Sequence, residues 1–294
     1  MEMTRLKGMG VAMVTPFKKN KEIDFEALKR LTQFLIENNT DYLVVQGTTG
    51  ESPVLTSEEK LQVLKTVIEI NNKQLPIVYG IGGNNTSEIA YELANFSTKG
   101  VDAFLSVSPY YSKPTQEGIF QHYKTISAHS RLPIILYNVP GRTASNVTSE
   151  TTIRIANECK NVIAIKEASG NLEQIMDIIQ NKPSDFLVIS GDDAITMPII
   201  AAGGDGVISV VGNGFPQLFT QMVKAGLKGE NNKSRQLHYK ISPIIKHLFS
   251  EGNPSGIKEV LSYLKIMESH VRLPLVNVSE ETKKHIIDIT KSLY

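Results

Sequence analysis

The sequence predicts an α/β fold, a closed (β/α)8 TIM barrel with a C-terminal helical appendage. Short β-rich runs alternate with helical patterns along the first three quarters of the chain, which predicts parallel strands joined by right-handed crossovers. Several runs are continuously apolar, as strands buried on both faces are. Eight such runs favour a closed barrel over an open doubly wound sheet. The candidate strands are residues 10–17, 41–47, 76–82, 102–110, 133–140, 162–169, 186–193 and 206–213.

Helical patterns separate these strands and continue to the end of the chain. Thr56 with Glu59 fits a capping box, and Thr86 fits the N-cap of the next helix. No convincing strand follows residue 215. We therefore expect the barrel over residues 1–226 and a helical region packed on it over residues 227–294. The last barrel helix is predicted at residues 215–229, and three further helices at 231–250, 254–268 and 279–292.

Composition excludes several classes of function. The 294 residues are 41% hydrophobic and 21% charged, with a formal net charge of +1. The longest basic cluster, residues 18–21, has no interleaved aromatic residues, so we expect no nucleic-acid partner. No apolar run approaches the roughly 20 residues that span a bilayer, and the N-terminus lacks a signal-peptide pattern. The lone cysteine, Cys159, cannot form an intrachain disulfide, so the sequence predicts a soluble cytoplasmic protein.

Barrel enzymes place their active sites at the C-terminal ends of the strands. The predicted strand ends carry hydroxyls, one arginine and one lysine, but no histidine cluster of the kind that binds catalytic zinc or iron. The chain also lacks the glycine-rich nucleotide-binding motifs, so no cofactor is expected. The histidines fall in predicted helices or in the tail, where a packing or surface role is favoured: His122, His129, His238, His247, His270 and His285.

A lysine interrupts the apolar run of the sixth predicted strand. It is Lys166, in the stretch IAIKEASGN of residues 163–171. Burial can lower a lysine pKa by about 3–5 units and leave a neutral amine, which can attack a ketone and form a Schiff base. The alternative is a structural lysine that extends to the rim or pairs with Glu167 or Asp192. The strand by itself leaves both interpretations open.

Schiff-base chemistry needs a proton carrier and an anion site near the amine. Tyr137 ends the neighbouring fifth strand, and a phenol can both donate and accept a proton. The motif GTTGES at residues 47–52 supplies two hydroxyls and consecutive backbone N–H groups, which suit a substrate carboxylate. Each feature also has an ordinary structural interpretation, as a core tyrosine and as a capped turn. Their joint occurrence at strand ends favours a site.

Five motifs together resemble one enzyme family. In chain order they are GTTGES (47–52), SPYY (108–111), YNVPGRT (137–143), IAIKEASGN (163–171) and GVISVVGN (206–213). They are similar to those of the dihydrodipicolinate synthases, in the class I, Schiff-base-forming pyruvate aldolase superfamily, from about residue 5 to the C-terminus. The resemblance implies a metal-independent lyase without cofactor. It implies condensation of pyruvate with aspartate semialdehyde to 4-hydroxy-tetrahydrodipicolinate, in lysine and diaminopimelate synthesis.

The resemblance also implies a role for individual residues and a homo-oligomer. Dimers or tetramers built from two dimers are implied, because one tyrosine comes from the neighbouring subunit. The implied roles are Lys166 for the imine, Tyr137 for proton transfer, Thr48 as its link to the neighbour's Tyr111, Thr49 for the pyruvate carboxylate, Arg142 for the semialdehyde carboxylate and Ile208 for a backbone carbonyl near the lysine.

Three alternatives stay open at this point. Sialic acid lyases and keto-deoxy-gluconate aldolases share the lysine and the tyrosine, but they lack the arginine that stands here in YNVPGRT as Arg142. The stretch GGDGVISVVGNG, residues 203–214, could form the phosphate-binding loop of a barrel that acts on sugar phosphates. A barrel that only binds a ligand or partner is the non-enzymatic alternative.

Feedback inhibition by lysine occurs in many members of the family, at a pocket beside the GTTGES motif. Asn84, Glu88 and Tyr110 match that pocket. Ser57 and Lys60, however, stand where lysine-sensitive relatives commonly carry histidines. A lysine side chain at position 60 would repel the ammonium group of the effector. We therefore predict little or no inhibition by lysine.

Overall fold

Eight parallel strands form a closed barrel in the computed structural model, which describes residues 3–294. Each strand pairs with the next along the chain, and β8 closes the barrel by pairing with β1. The predicted fold class is therefore confirmed. The strands are β1 (Gly8–Ala12), β2 (Tyr42–Val45), β3 (Ile77–Gly80), β4 (Ala103–Val107), β5 (Ile134–Asn138), β6 (Val162–Glu167), β7 (Leu187–Ser190) and β8 (Gly206–Ser209).

The predicted strands were too long at their C-terminal ends. Each one included two to five residues that belong instead to the loops above the barrel, and the first strand begins at residue 8 rather than 10. Many of these loop residues are apolar and buried like those of the strands, so composition does not separate the two. The strand ladder stops where the loops diverge toward the site.

Helices surround the barrel and follow most of the strands. The capping box of Thr56 and Glu59 is confirmed, whereas the N-cap predicted at Thr86 is wrong by one residue, because Asn85 caps the helix by accepting a hydrogen bond from the Ser87 N–H. The helices are α1 (Phe25–Glu37), α2 (Ser57–Asn71), α3 (Thr86–Asn95), α4 (Gln116–His129), α5 (Pro140–Thr143), α6 (Ser149–Glu158), α7 (Leu172–Asn181), α8 (Thr196–Ala201), α9 (Pro216–Leu227), α10 (Asn231–Phe249), α11 (Ser255–Tyr263) and α12 (Glu280–Leu293).

The last three helices form the C-terminal region and pack on one another and on α9. The helix predicted over residues 254–268 is shorter, because α11 ends at Tyr263 and an irregular segment follows. The division at residues 226 and 227 stays a prediction, and its first two residues lie outside the described part of the chain. Within residues 3–294, no helix is long and apolar enough to cross a bilayer.

Two apolar layers hold the barrel together. The larger one lies between the strands and the helices, and the smaller one fills the barrel interior with alternate residues of the strands. Ile165 belongs to the outer layer, whereas Ala164 belongs to the interior. Side chains alternate along a strand, so Lys166 faces the interior and Glu167 faces the helices. The two residues thus occupy opposite environments.

We expect Gly10→Ala to lower the free energy of unfolding by about 1–3 kcal/mol, the usual cost of overpacking a core. A Cβ at Gly10 would overlap the ring of Tyr42, which is fully buried in the barrel interior. Gly141→Ala is the matched control, since a Cβ there meets no atom within 4 Å. Chemical denaturation measures both variants. Equal stability of the two would contradict the close packing of Tyr42.

Candidate active site

Lys166 and Tyr137 lie side by side inside the barrel. They are register partners on β6 and β5, and the Lys166 Nζ lies 4.2 Å from the centroid of the Tyr137 ring. Lys166 is 5% exposed and Tyr137 is 6% exposed. Gly191, at the end of β7, leaves room for the lysine, because a Cβ there would come within 3.1 Å of two of its methylene carbons. The neighbouring strands thus confine the amine beside a phenol.

Lys166 is not a structural lysine paired with a neighbouring carboxylate. In the part of the chain that the structure describes, Lys166 makes no ion pair with Glu167 or Asp192, although many other lysines do pair with carboxylates. Glu167 points to the helices, where it accepts hydrogen bonds from Asn138 and Gln174 side chains and from the Ser169 N–H. Burial raises the pKa of Glu167, and these donors oppose that shift.

A second buried lysine, Lys258, has the ion pair and hydrogen bonds expected of a structural lysine. Lys258 on α11 is completely buried, and its Nζ lies 2.5 Å from a carboxylate oxygen of Glu51. The ammonium group also donates to the backbone carbonyls of Thr15 and His270, each at 2.8 Å. Burial lowers the pKa of Lys258 to about 8, and the nearby Glu51 opposes the shift. All three of its N–H donors are therefore satisfied by the protein.

Five of the predicted site residues line one cavity of about 460 Å³ above the barrel: Thr48, Thr49, Tyr137, Arg142 and Lys166. The loops after β7 and β8 and helix α10 supply the remaining walls. A cavity of this size fits a small organic substrate rather than a macromolecule. The strand ends therefore bring an amine, a phenol, two hydroxyls and a guanidinium group to a single compartment.

The GTTGES motif forms a tight turn directly after β2. Thr48–Gly50 make one turn of 3-10 helix, in which the Gly50 N–H donates to the Gly47 carbonyl at 3.0 Å. Thr49 is buried, and its hydroxyl accepts a hydrogen bond from the Asn253 side chain at 3.0 Å. The turn presents hydroxyls to the cavity, as an anion site requires.

Arg142 lies on α5, the short helix that follows β5. Its side chain is exposed, lines the cavity and makes no ion pair with any carboxylate of residues 5–294. A buried polar network holds the segment after it: the Val147 N–H donates to Asn138, which in turn donates to Glu167. The guanidinium group is therefore available to an anionic ligand.

Two predicted residues do not line this cavity. Ile208 is buried in the barrel interior on β8, and it is Val210 that reaches the cavity wall. Tyr111 is 87% exposed in a loop, where its φ is 70°, and it is not among the residues that line the cavity. Their roles beside Lys166 and in a neighbouring subunit stay predictions.

Four polar residues of the cavity were given no role from the sequence: Asp193, Ser242, Lys246 and Asn253. Asp193 accepts hydrogen bonds from the Val210 and Val211 N–H groups, each at 3.0 Å, and burial raises its pKa to about 6. These are backbone donors that a phosphate-binding loop after β8 would need, so the occupied amides argue against that alternative. Asn253 and Lys246 come from the C-terminal region, and no local pattern marks them.

A second cavity of about 350 Å³ shares Thr48, Tyr137 and Arg142 with the first. Of the residues expected in a lysine pocket, Tyr110 and Lys60 line it, and Asn84 donates to the Tyr110 carbonyl at 3.4 Å. Glu88 and Ser57 are not among its lining residues. Weak lysine inhibition stays a prediction. Within residues 5–294, no three histidine, cysteine or acidic side chains cluster as a metal site would.

Comparison with known proteins gives one consistent result. The 4-hydroxy-tetrahydrodipicolinate synthase of Flavobacterium psychrophilum is 52% identical over 286 residues, which cover 97% of this chain and 98% of the relative. A structure described as the first monomeric dihydrodipicolinate synthase variant superposes with a TM-score of 0.96 at 41% identity, covering 99% of this chain and 97% of that one. Dihydrodipicolinate synthase from Thermotoga maritima superposes with a TM-score of 0.95 at 42% identity, covering 98% of each chain.

A family model agrees with these relatives. The model of the dihydrodipicolinate synthetase family matches residues 5–293, which include every element of the barrel and the C-terminal helices. The resemblance found in the five motifs thus extends over nearly the whole chain. The chain belongs to the dihydrodipicolinate synthetase family.

Proposed function

We propose that this chain is a lyase that condenses pyruvate with L-aspartate 4-semialdehyde to give 4-hydroxy-tetrahydrodipicolinate. The observation that carries the proposal is the buried amine of Lys166, which lies beside the Tyr137 ring and has no carboxylate partner among the described residues. An amine in these surroundings suits attack on a ketone. The names of the family and of its relatives support the same activity.

The first steps follow from the chemistry of the amine. Lys166 attacks the keto carbon of pyruvate, and the carbinolamine loses water to leave a protonated imine. This imine withdraws electrons, so a methyl proton leaves and an enamine forms. Tyr137, whose ring centroid lies 4.2 Å from the Lys166 Nζ, supports this proposal as the group that carries these protons. Thr48 links Tyr137 to the second tyrosine, and Thr49 holds the pyruvate carboxylate.

The remaining steps form the new carbon–carbon bond and release the enzyme. The enamine carbon attacks the aldehyde of the semialdehyde, whose oxygen takes up a proton to become the hydroxyl of the product. The substrate's own amine then attacks the imine carbon and displaces Lys166, which closes the ring. Arg142 binds the carboxylate of the semialdehyde through its planar guanidinium group. Ile208 presents its backbone carbonyl near Lys166.

Sibling aldolases that act on sugars or sugar acids are the alternative activity within the superfamily. Two anionic substrates need two separate anchors, and this cavity holds hydroxyls on the β2 side and the exposed guanidinium of Arg142 on the β5 side. The free guanidinium favours the semialdehyde as second substrate. It therefore supports the synthase over the sialic acid and keto-deoxy-gluconate enzymes.

We propose a two-fold dimer as the smallest active unit, with the tetramer of two dimers as the larger form. Tyr111 is 87% exposed and lies outside its own cavity, so it is available to complete the proton relay of a neighbouring subunit. In an isologous dimer each tyrosine would reach the other subunit's site. Because one similar structure is described as a monomeric variant, the oligomeric state of this chain needs to be measured.

Borohydride reduction in the presence of pyruvate should trap one covalent adduct, at Lys166. The expected reason is that Lys166 is buried, without a carboxylate partner among the described residues, and open to the cavity, whereas Lys258 is paired and sealed and Lys246 is exposed at the cavity wall. Peptide mass mapping identifies the site, with the Lys258 peptide as an internal control and Lys166→Arg as the control variant. No adduct, or an adduct at another lysine, would contradict the mechanism.

Arg142→Lys should raise the KM for aspartate semialdehyde about 10- to 100-fold, because an ammonium group cannot make the bidentate contact with a carboxylate. The KM for pyruvate should stay unchanged. Arg131→Lys is the matched control, since Arg131 is exposed just before β5, at the opposite end of the same strand. Steady-state assays with both substrates, sialic acid and keto-deoxy-gluconate measure this. Faster turnover of either sugar acid would favour the sibling activity.

Mixing Tyr111→Phe with Lys166→Ala protein should restore activity that neither variant has alone. In a mixed dimer, the intact Lys166 site of one subunit receives the intact Tyr111 of the other. Random exchange would return about a quarter of the wild-type sites. Full turnover by Tyr111→Phe alone, or no recovery after verified subunit exchange, would argue against a shared site.

A further inference from the structure

The turn that carries the two threonines depends on a residue in an unfavourable backbone conformation. Glu51 has φ 56° and ψ 34°, in the left-handed region, and it is only 3% exposed. Its N–H donates to the Thr48 carbonyl at 3.1 Å and so closes the turn. A residue other than glycine keeps this conformation only where its surroundings hold it there. The carboxylate of Glu51 is the group through which they do so.

Both oxygens of that carboxylate are bound by the C-terminal region. One pairs with the Lys258 ammonium on α11 at 2.5 Å, and the other accepts the Arg272 N–H at 3.0 Å. The other two donors of Lys258 bind the carbonyls of Thr15, after β1, and His270. The ammonium group therefore joins two loops above the barrel to the segment that follows α11.

Two more hydrogen bonds fix the same turn from both sides. The Asn253 side chain donates to the Thr49 hydroxyl at 3.0 Å, and the Thr15 hydroxyl donates to the Gly50 carbonyl at 2.6 Å. Asn253 and Lys258 both belong to the C-terminal region, on either side of the start of α11. Each threonine of the turn is thus held through neighbours that this region positions.

A buried ion pair is a poor way to gain stability, because an apolar pair of similar volume often serves as well. Its geometry is more specific, since an ammonium group with three fixed acceptors determines where each acceptor lies. The Lys258 amine cannot react with substrate, because it is fully buried and does not line the cavity. The ammonium group of Lys258 therefore serves to hold its three acceptors in position.

We propose that Lys258 and Glu51 are positioning residues, through which the C-terminal region holds the turn of Thr48 and Thr49 where Thr49 binds the carboxylate of pyruvate. The inference rests on the proposed function, because it takes pyruvate as the ligand of the turn. It assigns to the helical region a role in the first half of the reaction, distinct from the role of Arg142 in the second half.

The test compares three proteins: the wild type, the single variant Glu51→Gln, and a double variant, called the pair, that carries both Lys258→Met and Glu51→Gln. The pair has no charge at either position. We expect the KM for pyruvate to rise about 10- to 100-fold in the pair, and less in the single variant, since small displacements of binding groups have effects of this size. The KM for aspartate semialdehyde should stay unchanged. The rate of borohydride trapping at subsaturating pyruvate should fall in parallel.

Lys283→Met is the matched control. Lys283 on α12 pairs with Glu259, the residue after Lys258, and this ion pair does not involve the turn. Its pyruvate KM should equal that of the wild type. Melting curves confirm that the compared proteins are folded, and Glu51→Gln keeps the test usable if the pair does not fold. Unchanged pyruvate KM in folded Glu51→Gln and in the pair would overturn the inference.

Failure of the proposed function gives a different result. If wild-type protein is not trapped by pyruvate at all, the proposed chemistry fails, whatever the variants do. If the wild type is trapped and both KM values rise equally in the variants, the ion pair supports the whole fold and not the turn. The positioning role requires trapping of the wild type together with a selective effect on pyruvate.

Discussion

The parallel register between β5 and β6 is the constraint on which the site depends. It pairs Tyr137 with Lys166 and, one residue later, Asn138 with Glu167. The first pair faces the barrel interior and the second faces the helices. A slip of one residue would exchange these faces and place a carboxylate in the barrel and the amine among the helices. The hydrogen bonds from Asn138 to both oxygens of Glu167 oppose such a slip.

The two buried lysines illustrate how surroundings decide the chemistry of one residue type. Lys258 has a carboxylate and two carbonyls around its ammonium group, so burial is compensated and the amine is held in place. Lys166 has the face of a tyrosine ring, a glycine and a cavity beside it. Burial alone therefore does not mark a catalytic lysine. What distinguishes Lys166 from Lys258 is the absence of a compensating anion among the described residues, together with its place in the lining of a cavity.

The C-terminal region is part of the site rather than an addition to the barrel. Helix α10 closes one wall of the cavity with Ser242, Ile245, Lys246 and Phe249. Asn253 and Lys258 reach the turn after β2 from the segments that follow. A barrel without this region would have an open cavity and a turn without its anchors.

Much of the fold and of the site could be predicted from the sequence alone. Strand and helix periodicity is local, so the eight strands, the helical tail and the capping box at Thr56 followed from patterns of a few residues. The motifs placed Lys166, Tyr137, Thr48, Thr49 and Arg142 at strand ends, and a barrel gathers its strand ends at one face. Their common cavity was therefore a consequence of the fold class.

Only the tertiary structure decided which polar groups compensate one another. Lys258 and Glu51 are 207 residues apart in the chain, and Asn253 and Thr49 are 204 apart. Nothing in the local sequence distinguishes these pairs from surface charges and a loop amide. Asp193 likewise meets the amides of Val210 and Val211 only because β7 and β8 are neighbours in the closed barrel. Periodicity acts over a few residues, whereas hydrogen bonds and ion pairs depend on distances that exist only once the chain has folded.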